Sequence, residues 1–282
     1  MADGQITLKS VIPAIPLVRV VDVGANPVGD DPPYMGLIRS QVARVTGFEP
    51  NPEALCDLNR KKGDNETYLP HVIGDGTVRT FRQCSAPAMS SLLEPDQSVL
   101  SNFHLFPAWG RVVERIEVET KRLDDLTEID LMDYLKIDVQ GAELLIFENA
   151  VQKLKDCLVI HSEVEFLALY EDQPLFSEVE LFLRKQGFIL HRFAPLCSRV
   201  VQPMLLNNDP HAGFSQLVWA DAVFIRNFMK LEGLSSDQLL KFALILHDAY
   251  GAFDIMLRVL LEHDRRFKTD YCQDWYRHRS GG

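Results

Sequence analysis

Three apolar runs in this chain close on an acidic residue: VVDVGAN at 20–26, TGFEPN at 46–51 and LKIDVQGAE at 135–143. Glycine follows the acid closely in the first and third, and Pro50 follows Glu49 in the second. In an open α/β sheet, ligands bind just beyond the carboxyl ends of the strands. Carboxylates at three such ends suit a ligand that carries both positive charge and vicinal hydroxyls. Glu49 can accept hydrogen bonds from both hydroxyls of a ribose. Asp22 and Asp138 would favour a cation. Across ~5 Å at an effective dielectric of ~20, one such pair is on the order of 3 kcal/mol before desolvation. Plainer uses exist for each acid. Glu49 could be a surface residue after a strand, and Asp22 could orient loop amides.

S-adenosyl-L-methionine fits that description, having a sulfonium, an ammonium and a ribose diol. A nicotinamide cofactor is the rival, and with it an NAD-dependent oxidoreductase. Gly24 to Gly29 overlaps the dinucleotide fingerprint, and Glu49 stands near the place of its ribose-binding acid. Two details oppose it. Asn26 occupies the second glycine position, where close approach to a pyrophosphate favours glycine. The acids at 22 and 138 would also repel a pyrophosphate. Asp75, in the turn Gly74-Asp75-Gly76, could accept a bond from an adenine amino group or simply be a turn aspartate.

For proton removal from an acceptor, the candidates are His161 and Glu163, at the end of the fifth predicted strand. Histidine titrates near neutral pH, which suits a base. A hydrogen-bonded core histidine is the plainer reading. Glu163 and Glu165 neighbour Phe166 and Tyr170, so either could grip a sugar. Ser90 and Ser91 could line the acceptor side, or form an ordinary turn. Asp138 with Glu163 could hold a divalent metal, but two carboxylates are not a coordination sphere, and no metal is expected. Glu143 is explained by the helix dipole alone. Trp109 offers an aromatic platform for a sugar, while Trp219 reads as strand packing.

The elements that would carry these residues are legible in the pattern. Leu17–Val23 is a continuous β-branched run, as a buried parallel strand requires. Arg44–Phe48 is the second strand and Pro52–Arg60 its helix, with Asn51 as N-cap and Pro52 in the first position. Tyr68–Ile73 reads as a third strand. Tyr134–Asp138 and Leu158–Ser162 are the fourth and fifth, with a helix over Gly141–Ala150 between them. Val78–Gln83 and Val112–Thr120 alternate like an antiparallel pair around a long surface excursion. Ser177–Gly187 reads as a helix with a capping box from Ser177 and Glu180. Phe188–Phe193 and Val218–Phe228 close the sheet, joined by a long link over 194–217. Ser236 caps a helix to about Ala249, Gly251 interrupts, and Phe253–His263 forms another. From Arg265 onward the chain is expected to fray.

With 282 residues and a net charge of −11, the chain has no basic footprint for nucleic acid. Its five cysteines are odd in number and widely spaced, which argues against a zinc site or a disulfide framework and for a reducing, cytoplasmic setting. Neither a signal peptide nor a membrane span is expected.

The segments VVDVGAN, GFEPN, IGDG, SSLLEP, TKRLDDL and LKIDVQGAE occur in the order seen in FkbM-like S-adenosylmethionine-dependent methyltransferases, and the chain resembles that family over about 18–193. The resemblance implies an α/β class I methyltransferase (Rossmann-like) fold, a seven-stranded mostly parallel sheet with an antiparallel last strand. It implies O-methylation, commonly of sugar or polyketide hydroxyls. It also implies that Gly24, Ala25 and Asn26 wrap the methionine part, that Glu49 with Pro50 holds the ribose, and that Gly74 and Asp75 border the adenine. Asp138 and Val139 would flank the methyl donor. Two positions depart from the family. Pro27, Val28 and the stretch Asp30 to Pro33 replace a compact glycine turn, and Gln140 stands where an acid is frequent.

The expected organisation is a methyltransferase domain over 1–229, with an insertion at about 77–126, followed by a helical hairpin appended over 230–282. The hairpin could be a homodimer contact or a substrate-side lid. The acceptor would be a small molecule or glycan. A catalytically inactive methyltransferase-like binding scaffold is the remaining alternative.

Overall fold

The computed structural model describes residues 7–12, 14–26 and 31–280. Pro27, Val28 and Asp30, where the loop departs from a glycine turn, lie outside the described residues. Among the described residues ten strands occur in chain order: β1 (Val18–Val23), β2 (Ala43–Phe48), β3 (Glu66–Leu69), β4 (Val72–Ile73), β5 (Val78–Cys84), β6 (Val112–Lys121), β7 (Tyr134–Ile137), β8 (Val159–Glu165), β9 (Phe188–Arg199) and β10 (Gln216–Arg226). Seven form one sheet in the order β3-β2-β1-β7-β8-β10-β9. The first five run parallel, and β10 lies antiparallel between β8 and β9. This is the expected mostly parallel sheet with an antiparallel last strand.

Helices cover both faces: α1 (Met35–Arg39), α2 (Pro52–Lys61), α3 (Gln97–Leu100), α4 (Phe106–Trp109), α5 (Glu143–Glu148), α6 (Val151–Leu154), α7 (Phe176–Lys185), α8 (Ser236–Leu244), α9 (Phe253–Phe267) and α10 (Tyr271–Ser280). Alternation along the strands sorts the core into two layers. Val18, Val20, Tyr134, Val159 and Val223 pack with Leu8, Leu37 and the apolar stripes of α8 and α9. Val21, Val23, Leu135, Ile137 and Ile160 pack with α5, α6 and α7 on the other side.

Several boundaries differ from the sequence reading. The third strand is two: Pro70, lacking an amide hydrogen, separates β3 in the main sheet from β4 in a small sheet ordered β4-β6-β5. The stretch between β5 and β6 is no bare excursion. It folds into short helical turns whose Met89, Leu100, Phe103 and Phe106 form a third buried cluster with Tyr170 and Val218. Helix α7 begins one residue before Ser177. Its Glu178, not Glu180, reaches back to accept from the Leu175 amide at 3.1 Å. Strand β9 runs six residues further than expected and β10 is shifted two residues earlier, so the link between them shortens to 200–215.

The tail is also more ordered than its composition implies. The N-cap of α8 is Ser235, in a capping box with Gln238. A π-turn follows over Ile245–Ala249. Residues 271–280, expected to fray, form α10. Trp275 of α10 is buried and donates Nε1 to His247 Nε2 at 3.0 Å. Among the described residues no helix is long and apolar enough to cross a membrane.

Candidate active site

Register brings the acidic ends together. Val23 of β1 pairs with Phe48 of β2 and with Ile137 of β7, so Glu49 and Asp138 each lie one residue past the same row. They are two strand spacings apart, on the order of 10 Å. Ile137 pairs in turn with Ser162, which sets Glu163 beside Asp138. The loop after β1 folds back over this edge. Gly24 and Ala25 both donate their amides to the Phe48 carbonyl at 3.1 Å. Gly24 has φ +76°, and a Cβ there would stand 1.9 Å from the Asp138 carbonyl oxygen, so only glycine fits.

Glu49 is buried, and its Oε1 accepts from the Asn51 amide at 2.7 Å. The Asn51 side chain then caps α2 through the Glu53 and Ala54 amides, a contact worth about 1 kcal/mol. Burial raises the Glu49 carboxyl above its ordinary value, the Asn51 amide pulls it back, and the Asp22 charge adds to the rise.

Across the edge lie four carboxylates. Asp138, Glu143 and Glu163 each bring an oxygen within 4.8 Å of the others. Glu143 opens α5, is buried, and accepts from the Val139 amide at 2.8 Å. Burial pushes its carboxyl up to about 7. Glu163 is pushed well above the ordinary range by burial and then by Asp138, Glu165, Glu143 and Asp221. Glu165, also buried, is raised by burial and by Glu143 and Asp138. Like charges this close cannot all ionise cheaply. Carboxyls raised by burial and by like charges are candidates for proton transfer.

The remaining predicted residues lie as follows. His161 is buried lower in β8, under Tyr250 of the tail, with Nδ1 3.1 Å from the Tyr250 hydroxyl and Nε2 3.6 Å from Asp221. Asp75 is tied into its own turn. It accepts from the Thr77 amide and hydroxyl at 3.1 and 2.7 Å and pairs with Arg79, which holds its carboxyl below the ordinary range. Gly74 donates its amide to the Lys121 carbonyl. Ser90 Oγ accepts from the Cys84 amide, and buried Ser91 donates to the Gln140 carbonyl at 2.7 Å. Trp109 packs against Phe106 and His211. Trp219 lies in β10 beneath the Arg199 guanidinium.

Sequence reading passed over Lys136 and Tyr250, and it met Gln140 only as a departure from the family pattern. Lys136 pairs with Asp22 in register, and a lysine inside an apolar strand should have signalled a buried partner. Gln140 bridges Asp138 and Glu163. Tyr250 had no sequence signal, because its contacts lie far away along the chain.

A Rossmann-like sheet with this strand order, a glycine loop after β1 and acids past β2 and β7 defines a class I methyltransferase. The Methyltransferase FkbM domain matches residues 22–190, and the chain belongs to that family. It is an S-adenosylmethionine-dependent methyltransferase, which sets the nicotinamide rival aside. It is 27% identical over 175 residues to the 2-O-methyltransferase NoeI of Sinorhizobium fredii, covering 57% of this chain and 70% of that one. Two solved methyltransferases align with TM-scores of 0.34 and 0.32. One is precorrin-6y C5,15-methyltransferase from Geobacter metallireducens, at 13% identity over 80% of this chain and 93% of that one. The other is a SAM-dependent methyltransferase from Aquifex aeolicus, at 12% identity over 78% of this chain and 90% of that one.

Proposed function

We propose that this enzyme transfers the methyl group to a hydroxyl oxygen, and that the acceptor is a saccharide or a glycan or natural-product precursor. S-adenosylmethionine supplies an electrophilic methyl group on its sulfonium. Glu49 would hold the ribose diol, with Pro50 turning the chain away from it. Gly24, Ala25 and Asn26 would leave bare backbone for the methionine part, and Gly74 would border the adenine. Asp138 and Val139 would flank the methyl group. Asp22 would act behind this wall, through Lys136 and the Gly24 carbonyl.

The observation that carries the reading is the pair Asp138 and Glu163, side by side on adjacent strand ends, with the Glu163 carboxyl raised. Glu163 would take the proton as the acceptor oxygen bonds to the methyl carbon and the sulfur–carbon bond breaks. Positioning supplies most of the rate in such a displacement, and a base adds about 10²-fold or more. The name of the Sinorhizobium relative, a 2-O-methyltransferase, supports oxygen as the acceptor atom.

The test is labelled-methyl transfer from S-adenosylmethionine to a panel of oligosaccharides, with products mapped by mass spectrometry. A methyl ether on a sugar carbon is expected. A methylated nitrogen or carbon would overturn the reading. Glu163→Gln should lower kcat by ~10²-fold and leave S-adenosylhomocysteine binding unchanged.

A further inference from the structure

Gln140 sits in the turn between β7 and α5 with φ +58°, a left-handed conformation uncommon outside glycine. Every polar group of this residue near the cluster is engaged. Its carbonyl accepts from Ser91 Oγ at 2.7 Å, and its Oε1 lies 3.3 Å from the Tyr170 hydroxyl, whose one hydrogen is shared with the Met89 carbonyl at 3.1 Å. Its Nε2 donates to Asp138 Oδ1 at 2.9 Å and to Glu163 Oε2 at 2.7 Å. Ser91 and Tyr170 are each only 1% exposed, so the frame that aims the amide is fixed.

We propose that Gln140 is a positioning residue for methyl transfer, its carboxamide locking the Glu163 carboxylate in one orientation beside Asp138. The two N–H donors do the bridging that a cation would otherwise do. The oxygens of Asp138, Glu143 and Glu163 have a spacing that a divalent cation could span. The amide hydrogens of Gln140, however, point at two of these carboxylates, and the Val139 amide occupies the third. The inference rests on the reading of Glu163 as proton acceptor. The groups facing Glu163 are Asp138 after β7, Glu143 on α5, Glu165 on its own strand, Asp221 on β10 and the Tyr170 phenol. His161 lies two residues back on the same strand, and Lys136 acts on Asp138.

Gln140→Leu keeps the bulk and removes both donors. Gln140→Glu adds a further charge, and the two changes should act in the same direction. A donor to a carboxylate favours its charged form, so losing it should move the ascending limb of kcat against pH upward by about one unit. kcat at neutral pH should fall ~10-fold or more, with S-adenosylhomocysteine affinity held within about threefold by calorimetry. Carbon-13 titration of the glutamate carboxyls with S-adenosylhomocysteine bound should show one resonance shifted the same way. That resonance should vanish in Glu163→Gln.

An unmoved resonance and limb in either folded variant would overturn the proposal. So would wild-type turnover that is abolished by EDTA and restored by magnesium or manganese. If the wild type methylates no hydroxyl acceptor, the reading of Glu163 as base falls instead. The carboxyl titration needs no acceptor and decides the Gln140 contact by itself.

Discussion

The Tyr250 ring lies over the His161 ring at 6.2 Å and 18° between planes, its hydroxyl 3.1 Å from Nδ1. The same hydroxyl is 2.5 Å from that of Tyr134. The helical tail thus supplies a polar cap to the middle of the sheet, set by the π-turn just before it. With Asp221 on its other side, His161 is buried between two polar partners, an arrangement that fits a core histidine. Tyr250→Phe should therefore cost about 1–3 kcal/mol, lowering Tm by roughly 2–4 °C per kcal/mol. kcat should stay within about twofold, since a packing loss leaves transition-state contacts intact. Scanning calorimetry and steady-state rates check this. A ~10²-fold fall in kcat at unchanged Tm would instead make His161 part of the proton path.

In its proposed role Glu49 must be ionised to accept two ribose hydroxyls, yet burial raises its carboxyl. S-adenosylmethionine affinity should therefore fall as pH drops through a value above the ordinary glutamate range of ~4.3. Glu49→Gln should lower affinity by ~10- to 100-fold, since a hydrogen bond to a charged group is worth about 1.5–3 kcal/mol. It should also flatten that pH dependence. Isothermal titration from pH 5 to 8 tests both. An unchanged dissociation constant would move the ribose elsewhere.

The sheet was legible because its signals are local. Leu17–Val23 and Tyr134–Asp138 are β-branched or apolar runs, and Asn51-Pro52 announces a helix start. The places of Glu49 and Asp138 just past strand ends were legible for the same reason. What failed was long-range. Pro70 splits a strand because the chain leaves one sheet for another, a choice made by β6, some fifty residues later. The tail from 265 reads as charged and aromatic, and its last helix is held by long-range contacts: Asp264 accepts from the Tyr271 and Cys272 amides, and Trp275 is buried against His247. Gln140 was visible as a departure from a familiar pattern. Its use could not be read, because the Glu163 it holds lies on another strand.

Glu143, Glu163 and Glu165 carry raised carboxyls in the fold. Between the unfolded glutamate value of ~4.3 and those raised values, the folded chain binds more protons than the unfolded one. Their contribution to stability therefore falls as pH rises, through about 7 for Glu143, with Glu163 and Glu165 acting in the same direction. Glu94, held below the ordinary range by Arg82 and Arg115 despite burial, acts oppositely, losing stability as pH falls. Tm should peak on the mildly acidic side and decline toward pH 8. Glu163→Gln with Glu165→Gln should flatten that decline. A Tm that climbs steadily from pH 5 to 8 would contradict the like-charge cluster.

Lys136 Nζ donates to the Gly24 carbonyl at 2.9 Å and lies 3.3 Å from Asp22 Oδ1, an oxygen with no hydrogen-bond donor among the described residues. The other Asp22 oxygen accepts from the Tyr34 hydroxyl at 2.5 Å. Asp22 is 1% exposed, and among the described residues its compensating charge is Lys136, opposite it in register. Lys136→Met should cost about 3–5 kcal/mol by stranding that carboxylate. Adding Asp22→Asn removes the stranded charge and should recover much of the loss, a coupling that a double-mutant cycle measures directly. Burial alone would lower the Lys136 ammonium, but the Asp22 and Asp138 charges raise it above its ordinary value. The pair's contribution is therefore fully present below the unfolded lysine value of ~10.4 and lost only above it. The stability gap between wild type and Lys136→Met should stay constant from pH 6 to 9. If the single and double variants are equally destabilised, the lysine serves the Gly24 carbonyl alone. S-adenosylhomocysteine affinity should then fall in both.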